Sequence, residues 1–160
     1  MPAMDKKTVL MLALSGVLMA VLAGVAYYKS QLAKQENVLA RANPDKTCDL
    51  HKNACQLDLP DGRKVRLSID PKPIPLVTKF DIQVNIEGEP DIKSVLVDFK
   101  GTSMNMGPNT VKLTAKSNGQ YNGNGMLPVC VRNSMEWQAE VWVRTDQGTL
   151  IAPFLFVTHK

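Results

Sequence analysis

Apolar and polar positions divide this chain into two regimes. Residues 8–28, TVLMLALSGVLMAVLAGVAYY, contain no charged side chain. About 20 apolar residues cross a hydrocarbon core of roughly 30 Å, so this run predicts a transmembrane helix. Lys6 and Lys7 precede it, and Lys29 and Lys34 follow it, so flanking charge decides little about orientation. Tyr27 and Tyr28 suit the membrane–water interface. A cleaved signal peptide is the competing reading, because Gly24-Val25-Ala26 offers small residues at a cleavage position. The stretch exceeds the usual h-region of about 7–15 residues, which favours an uncleaved anchor. Both readings export the remainder of the chain when the N-terminus stays inside.

Residues 29–46 are polar and compatible with helix until Asn43-Pro44, where the residue before proline leaves the helical region. They read as a juxtamembrane stalk. After Cys55 the pattern becomes strict alternation. Val65, Leu67 and Ile69 interleave with Arg66, Ser68 and Asp70. Phe80, Ile82, Val84 and Ile86 interleave with polar neighbours, as a half-buried strand does. Further alternating runs cover Val95 to Phe99, Val111 to Ala115, residues 120–127, Trp137 to Val143 and residues 149–157. Pro71, Pro73 and Pro75 interrupt pairing, and Ser117-Asn118-Gly119 and Asp146-Gln147-Gly148 read as turns. Seven or eight strands with short connections and no helix predict an all-β fold, an immunoglobulin-like antiparallel β-sandwich preceded by one transmembrane helix. The expected layout is a cytoplasmic N-terminus at 1–7, an anchor at 8–28, a stalk at 29–46 and a periplasmic domain at 47–160. Phe80, Phe99, Trp137, Phe154, Phe156 and Met126 are expected in the core. Trp142 has the opposite parity from Trp137 and covers an edge or faces a partner. Gly123 and Gly125 alternate in a strand, as close packing or a bulge requires.

Composition changes this picture little. The 160 residues carry a net charge of +4. Acidic and basic residues are interleaved from Arg63 to Asp146, which gives no basic block and argues against nucleic acid as a partner. No Ser-His-Asp order, paired catalytic carboxylates or phosphate-binding glycine loop is present, so no enzyme is expected.

The sulfur-bearing residues do change it. An exported chain favours a Cys48–Cys55 disulfide, with Cys48, His51 and Cys55 as a metal half-site in competition. Cys130 is then left over as a reactive thiol or ligand. His51 and His159 read as surface residues. Met104 and Met106 lie two apart in Gly101-Thr102-Ser103-Met104-Asn105-Met106-Gly107-Pro108-Asn109, and Cys130 and Met135 lie in the connection entering the Trp137 strand. Thioethers and thiolate are the ligands that Cu(I) prefers, so Met104, Met106, Cys130 and Met135 form a candidate copper set. The competing reading is packing, since methionine fills irregular gaps and free cysteine is commonly buried.

The segments Met104-Asn105-Met106-Gly107-Pro108-Asn109, Gly119-Gln120-Tyr121, Met135-Glu136-Trp137 and Gly148 to Phe156 together resemble the YtkA-like and FixH-like domains. The resemblance extends over about residues 60–158 in layout. It implies a small β-sandwich exported behind one membrane helix, here of a bacterial inner membrane with the domain in the periplasm. It also implies a role in cytochrome oxidase or metal-centre assembly with copper. Met104 and Met106 match the family's metal-loop methionines, and Asn109 and Tyr121 match framework positions. Cys48, Cys55 and Cys130 lie outside the family pattern. The expected partners are the membrane and cytochrome oxidase subunits or other copper-assembly proteins. The alternative is a metal-free immunoglobulin-like interaction module of a membrane respiratory complex, with Trp142 as a contact. A redox role for Cys130 with the Cys48–Cys55 pair lacks a C-x-x-C motif.

Overall fold

The apolar run forms one helix, α1, over Lys6–Gln35. Its described side chains from residues 6–29 are exposed all round, and its Lys6–Lys29 segment is long and apolar enough to cross a membrane. The computed structural model describes residues 5–35, 37–88, 91–117, 119–129 and 132–159. The chain forms two compact units, residues 1–37 and residues 38–160.

The second unit is built from ten strands among the described residues. Sheet A contains β1 (Val38–Arg41), β10 (Thr149–His159), β9 (Ser134–Thr145), β5 (Ile92–Gly101) and β6 (Thr110–Lys112), in that spatial order. Sheet B contains β2 (Cys55–Asp58), β3 (Lys64–Asp70), β4 (Phe80–Glu87), β8 (Gln120–Gly125) and β7 (Thr114–Ser117), in that order. All pairings are antiparallel except β1 with β10. The alternation legible in sequence is the cause of this arrangement. Phe80, Ile82, Val84 and Ile86 of β4 are buried while every intervening residue is exposed. Inward side chains of both sheets form one hydrophobic core. Phe80 of β4 meets Phe99 of β5 edge to face across it, with ring centroids 5.6 Å apart. Trp137 is fully buried, and its Nε1 donates to the Thr158 hydroxyl at 2.9 Å. That bond satisfies the one polar atom an indole brings into a core. Gly125 is needed where it stands, because a Cβ there would lie 2.6 Å from the Phe80 ring.

Three local expectations are revised. The stalk expected over 29–46 does not run that far. The helix continues to Gln35, and Val38–Arg41 pairs with β10 as part of sheet A. The run from Val111 to Ala115 is two strands, because the chain passes from sheet A to sheet B at the buried Leu113. Met126 is not in the core but 49% exposed, since β8 has ended at Gly125 and the neighbouring Leu127 takes the buried position.

Cys48 and Cys55 form a disulfide with Cα atoms 5.8 Å apart. It ties the segment ahead of β2 to that strand's first residue and removes both sulfurs from any metal half-site with His51. His51 is also committed at both ring nitrogens. Nδ1 accepts the Ile74 N–H at 3.1 Å, so Nε2 carries the proton and donates to the Val157 carbonyl at 2.6 Å. The ring packs edge-on against Phe156. His51 thereby covers backbone of β10 beyond the residues that β1 pairs, where an open sheet edge would otherwise invite association. The sequence marked His51 as a surface residue; the structure makes it a half-buried strut.

Candidate functional site

β5 pairs with β9 as far as Gly101, which stands opposite Trp137. Beyond it the chain leaves the sheet. Thr102 N–H donates to the Glu136 carbonyl at 3.0 Å, and its hydroxyl donates to the Glu136 carboxylate at 2.7 Å. The Asn105 side chain accepts the Gly107 N–H at 2.9 Å, a local turn that suits asparagine. The loop closes where Phe99 N–H meets the Asn109 carbonyl at 2.9 Å and β6 returns beside β5. Asn109 Nδ2 also donates to the Met126 carbonyl at 3.1 Å, fastening this loop to the segment that follows β8.

The Met135 and Met106 side chains and the Met104 backbone gather around Gly101. A Cβ on Gly101 would lie 2.2 Å from Cε of Met135, 3.2 Å from Cγ of Met106 and 2.5 Å from the Met104 carbonyl. The glycine is therefore the floor on which the methionines lie. Met135, 2% exposed, is one wall. Met104 and Met106 are half-buried and pack against the core. Ser103 Oγ donates to Sδ of Met135 at 3.7 Å, which orients that thioether. Asp98, Lys100 and residues 101–108 line a hollow of about 640 Å³ on this loop.

The structure thus brings Met106 and Met135 to one point, with Met104 in the same loop. Cys130 lies outside the described residues. Among the described residues, no three of His, Cys, Asp and Glu cluster as metal ligands. The side chains that meet here, Met106 and Met135, carry neutral thioethers.

Sequence reasoning missed a second constellation on the outer face of sheet A. Glu140 has the outward parity of Gln138 and Trp142, yet it is 1% exposed. Its carboxylate accepts from Lys100 Nζ at 2.8 Å, Gln138 Nε2 at 2.7 Å and Trp142 Nε1 at 3.0 Å, and it pairs with Arg41. Lys100 Nζ also sits 5.3 Å over the Trp142 ring. Burial pushes the Glu140 carboxyl up, but the bonds from Lys100, Arg41 and Trp142 outweigh it and hold the group below the usual carboxylate range. Burial works against the Lys100 ammonium, and Glu140 and Asp98 more than compensate, so its pKa is raised. Arg41 and Glu140 lie 99 residues apart in sequence, a pairing that alternation alone does not reveal.

No family model, no curated protein and no solved structure matches this chain.

Proposed function

We propose that this chain is a membrane-anchored protein that binds Cu(I) and hands it over during assembly of a respiratory metal centre such as cytochrome oxidase. The observation that carries the reading is the meeting of Met106 and Met135 over Gly101, within the loop that also holds Met104. Met104 and Met106 are the exchangeable thioether ligands in this reading, Met135 is the buried one, and Cys130 is a stronger fourth ligand. Half-exposed thioethers suit a carrier, because a carrier must also release its cargo. The likeness of the Met-x-Met-Gly loop to YtkA-like and FixH-like domains supports the same role, and two facing sheets are what an immunoglobulin-like domain of that kind requires. The apolar Lys6–Lys29 segment supports a single-pass anchor in a bacterial inner membrane, with the β unit in the periplasm. The Cys48–Cys55 disulfide supports an oxidising compartment. No catalytic step belongs to this reading.

The test is a Cu(I) competition titration on the full chain in detergent, with Cys130 kept reduced. One-to-one binding is expected. Replacing Met104 and Met106 together by leucine, which keeps apolar bulk and removes both sulfurs, is expected to weaken it by about tenfold or more, equivalent to at least 1.4 kcal/mol. Unchanged affinity in the double variant overturns the assignment. Absence of binding in the unaltered protein leaves these methionines as packing residues.

A further inference from the structure

The two sheets have unlike outer faces. Sheet B turns exposed polar side chains outward, among them Arg66, Asp81, Gln83, Asn85 and Asn124. That is the ordinary solvated face of a half-buried sheet. On sheet A, register places Leu96 beside Trp142, Trp142 beside Ile151, Glu140 beside Pro153 and Gln138 beside Leu155. Ile151 and Pro153 are buried, and Leu96, Trp142 and Leu155 are partly exposed and give the face its accessible apolar surface. At its centre the carboxylates are covered while the cations are open. The Glu140 and Asp98 side chains are 2% and 15% exposed, and those of Arg41 and Lys100 are both 46% exposed.

We propose that the outer face of sheet A, centred on Trp142, docks a protein segment that presents a carboxylate to Arg41 beside apolar side chains. A guanidinium has five N–H donors in a planar fork that matches a carboxylate. Among the described residues, the Arg41 guanidinium bonds Glu140 alone, and its side chain remains half in solvent. Glu140 fixes Arg41, Lys100 and Trp142 before a partner arrives, which lowers the ordering cost of association. Tryptophan and arginine beside aliphatic neighbours are the side chains that dominate interface energetics. At the centre of the face the exposed side chains that carry charge are the cations Arg41 and Lys100, while the exposed Glu136 lies towards one end, so the centre selects an acidic segment over a basic one. Lys100 also lines the methionine hollow, so a docked partner would stand next to that loop. Docking itself requires no metal, and it stands or falls separately from copper binding.

The test places a photo-crosslinking amino acid at Leu155, or at Gln83 on sheet B as a control, in the full chain in its own membranes. The expected result is crosslinking from position 155 to one protein, at a peptide bearing Asp or Glu next to apolar residues. Two long, charged variants of opposite sign then read the charge: Leu96→Glu is expected to reduce the crosslinked yield by about tenfold or more, and Leu96→Lys to preserve it. Reversing the charge of the partner's acidic residue is expected to restore capture by the Leu96→Glu variant. Thermal unfolding of each variant checks that it is folded, and Trp142→Phe, which keeps an aromatic ring of smaller size and loses the bond to Glu140, provides a milder second probe with an intermediate loss. The proposal is overturned by equal crosslinking from Gln83, by equal loss in the Glu and Lys variants, or by no crosslink at all. Crosslinking to phospholipid, to a second copy of this chain or to a segment without a carboxylate overturns it as well.

Discussion

Met135 and Gly101 occupy the same space by agreement. The methionine's Cε lies 2.2 Å from where a Cβ on the glycine would be. Gly101→Ala must therefore move the flexible end of Met135 and also the Met104 backbone carbonyl, 2.5 Å from the same point, which no rotamer change relieves. The expected cost is about 1–3 kcal/mol, the range for overpacking a core. Urea denaturation checks it, with a lower midpoint and an unchanged slope expected. If the copper reading is right, the same variant also weakens Cu(I) binding, because it pushes Met135 away from Met106.

Glu140 sets the acid limit of stability. Its folded pKa is depressed, so its contribution is complete above the unfolded value of about 4.3 and is lost as pH falls through the lower folded value. Asp45, Asp49 and Asp70 are lowered too and act with the same sign. Stability is expected to be level from neutral pH to about pH 5 and to fall below about pH 4. Glu140→Gln removes the charge that Arg41 and Lys100 face. It is expected to cost about 1–3 kcal/mol at pH 7 and to flatten the acid limb. Equilibrium unfolding across pH 2–7 reads both effects; an acid limb as steep as in the unaltered protein would argue against this role for Glu140.

The Cys48–Cys55 bridge closes a short loop, with a sequence separation of 7. Loop-closure entropy for a ring of this size gives roughly 2–3 kcal/mol. A Cys48→Ser, Cys55→Ser variant is expected to lose about that much, measured as a drop in the thermal midpoint. Added reductant should lower the midpoint of the unaltered protein towards the same value.

His51 ties its own segment to two others, through Ile74 and through Phe156 and Val157 of β10. His51→Ala leaves the Ile74 amide and the Val157 carbonyl without this partner. A loss of about 1–3 kcal/mol is expected. Amide hydrogen exchange gives the sharper readout, since the Ile74 N–H should lose protection while amides of β3 and β4 keep theirs.

The length of an uncharged apolar run by itself determined the helix, and periodicity determined the alternating strands from Val65 onward, because burial on one face of a sheet imposes a period of two on the local sequence. Export and cysteine spacing favoured the disulfide. The close packing expected of Gly123 and Gly125 is present, with Cβ positions 2.6 Å from Leu113 and Phe80 side-chain atoms. The meeting of the two methionine segments depended on which end of each sheet the loops left, and that follows from pairing of β5 with β9 rather than from any local signal. Tertiary structure alone decided that Val38–Arg41 is a strand, because its partner β10 lies at the far end of the chain. It decided that Met126 is exposed, because the strand stops one residue earlier. It also buried Glu140 on an outward-facing position, since the covering arginine comes from a strand brought alongside only by the fold. Local pattern reports which face a residue takes; the residues that then meet across that face are set by sheet order and register.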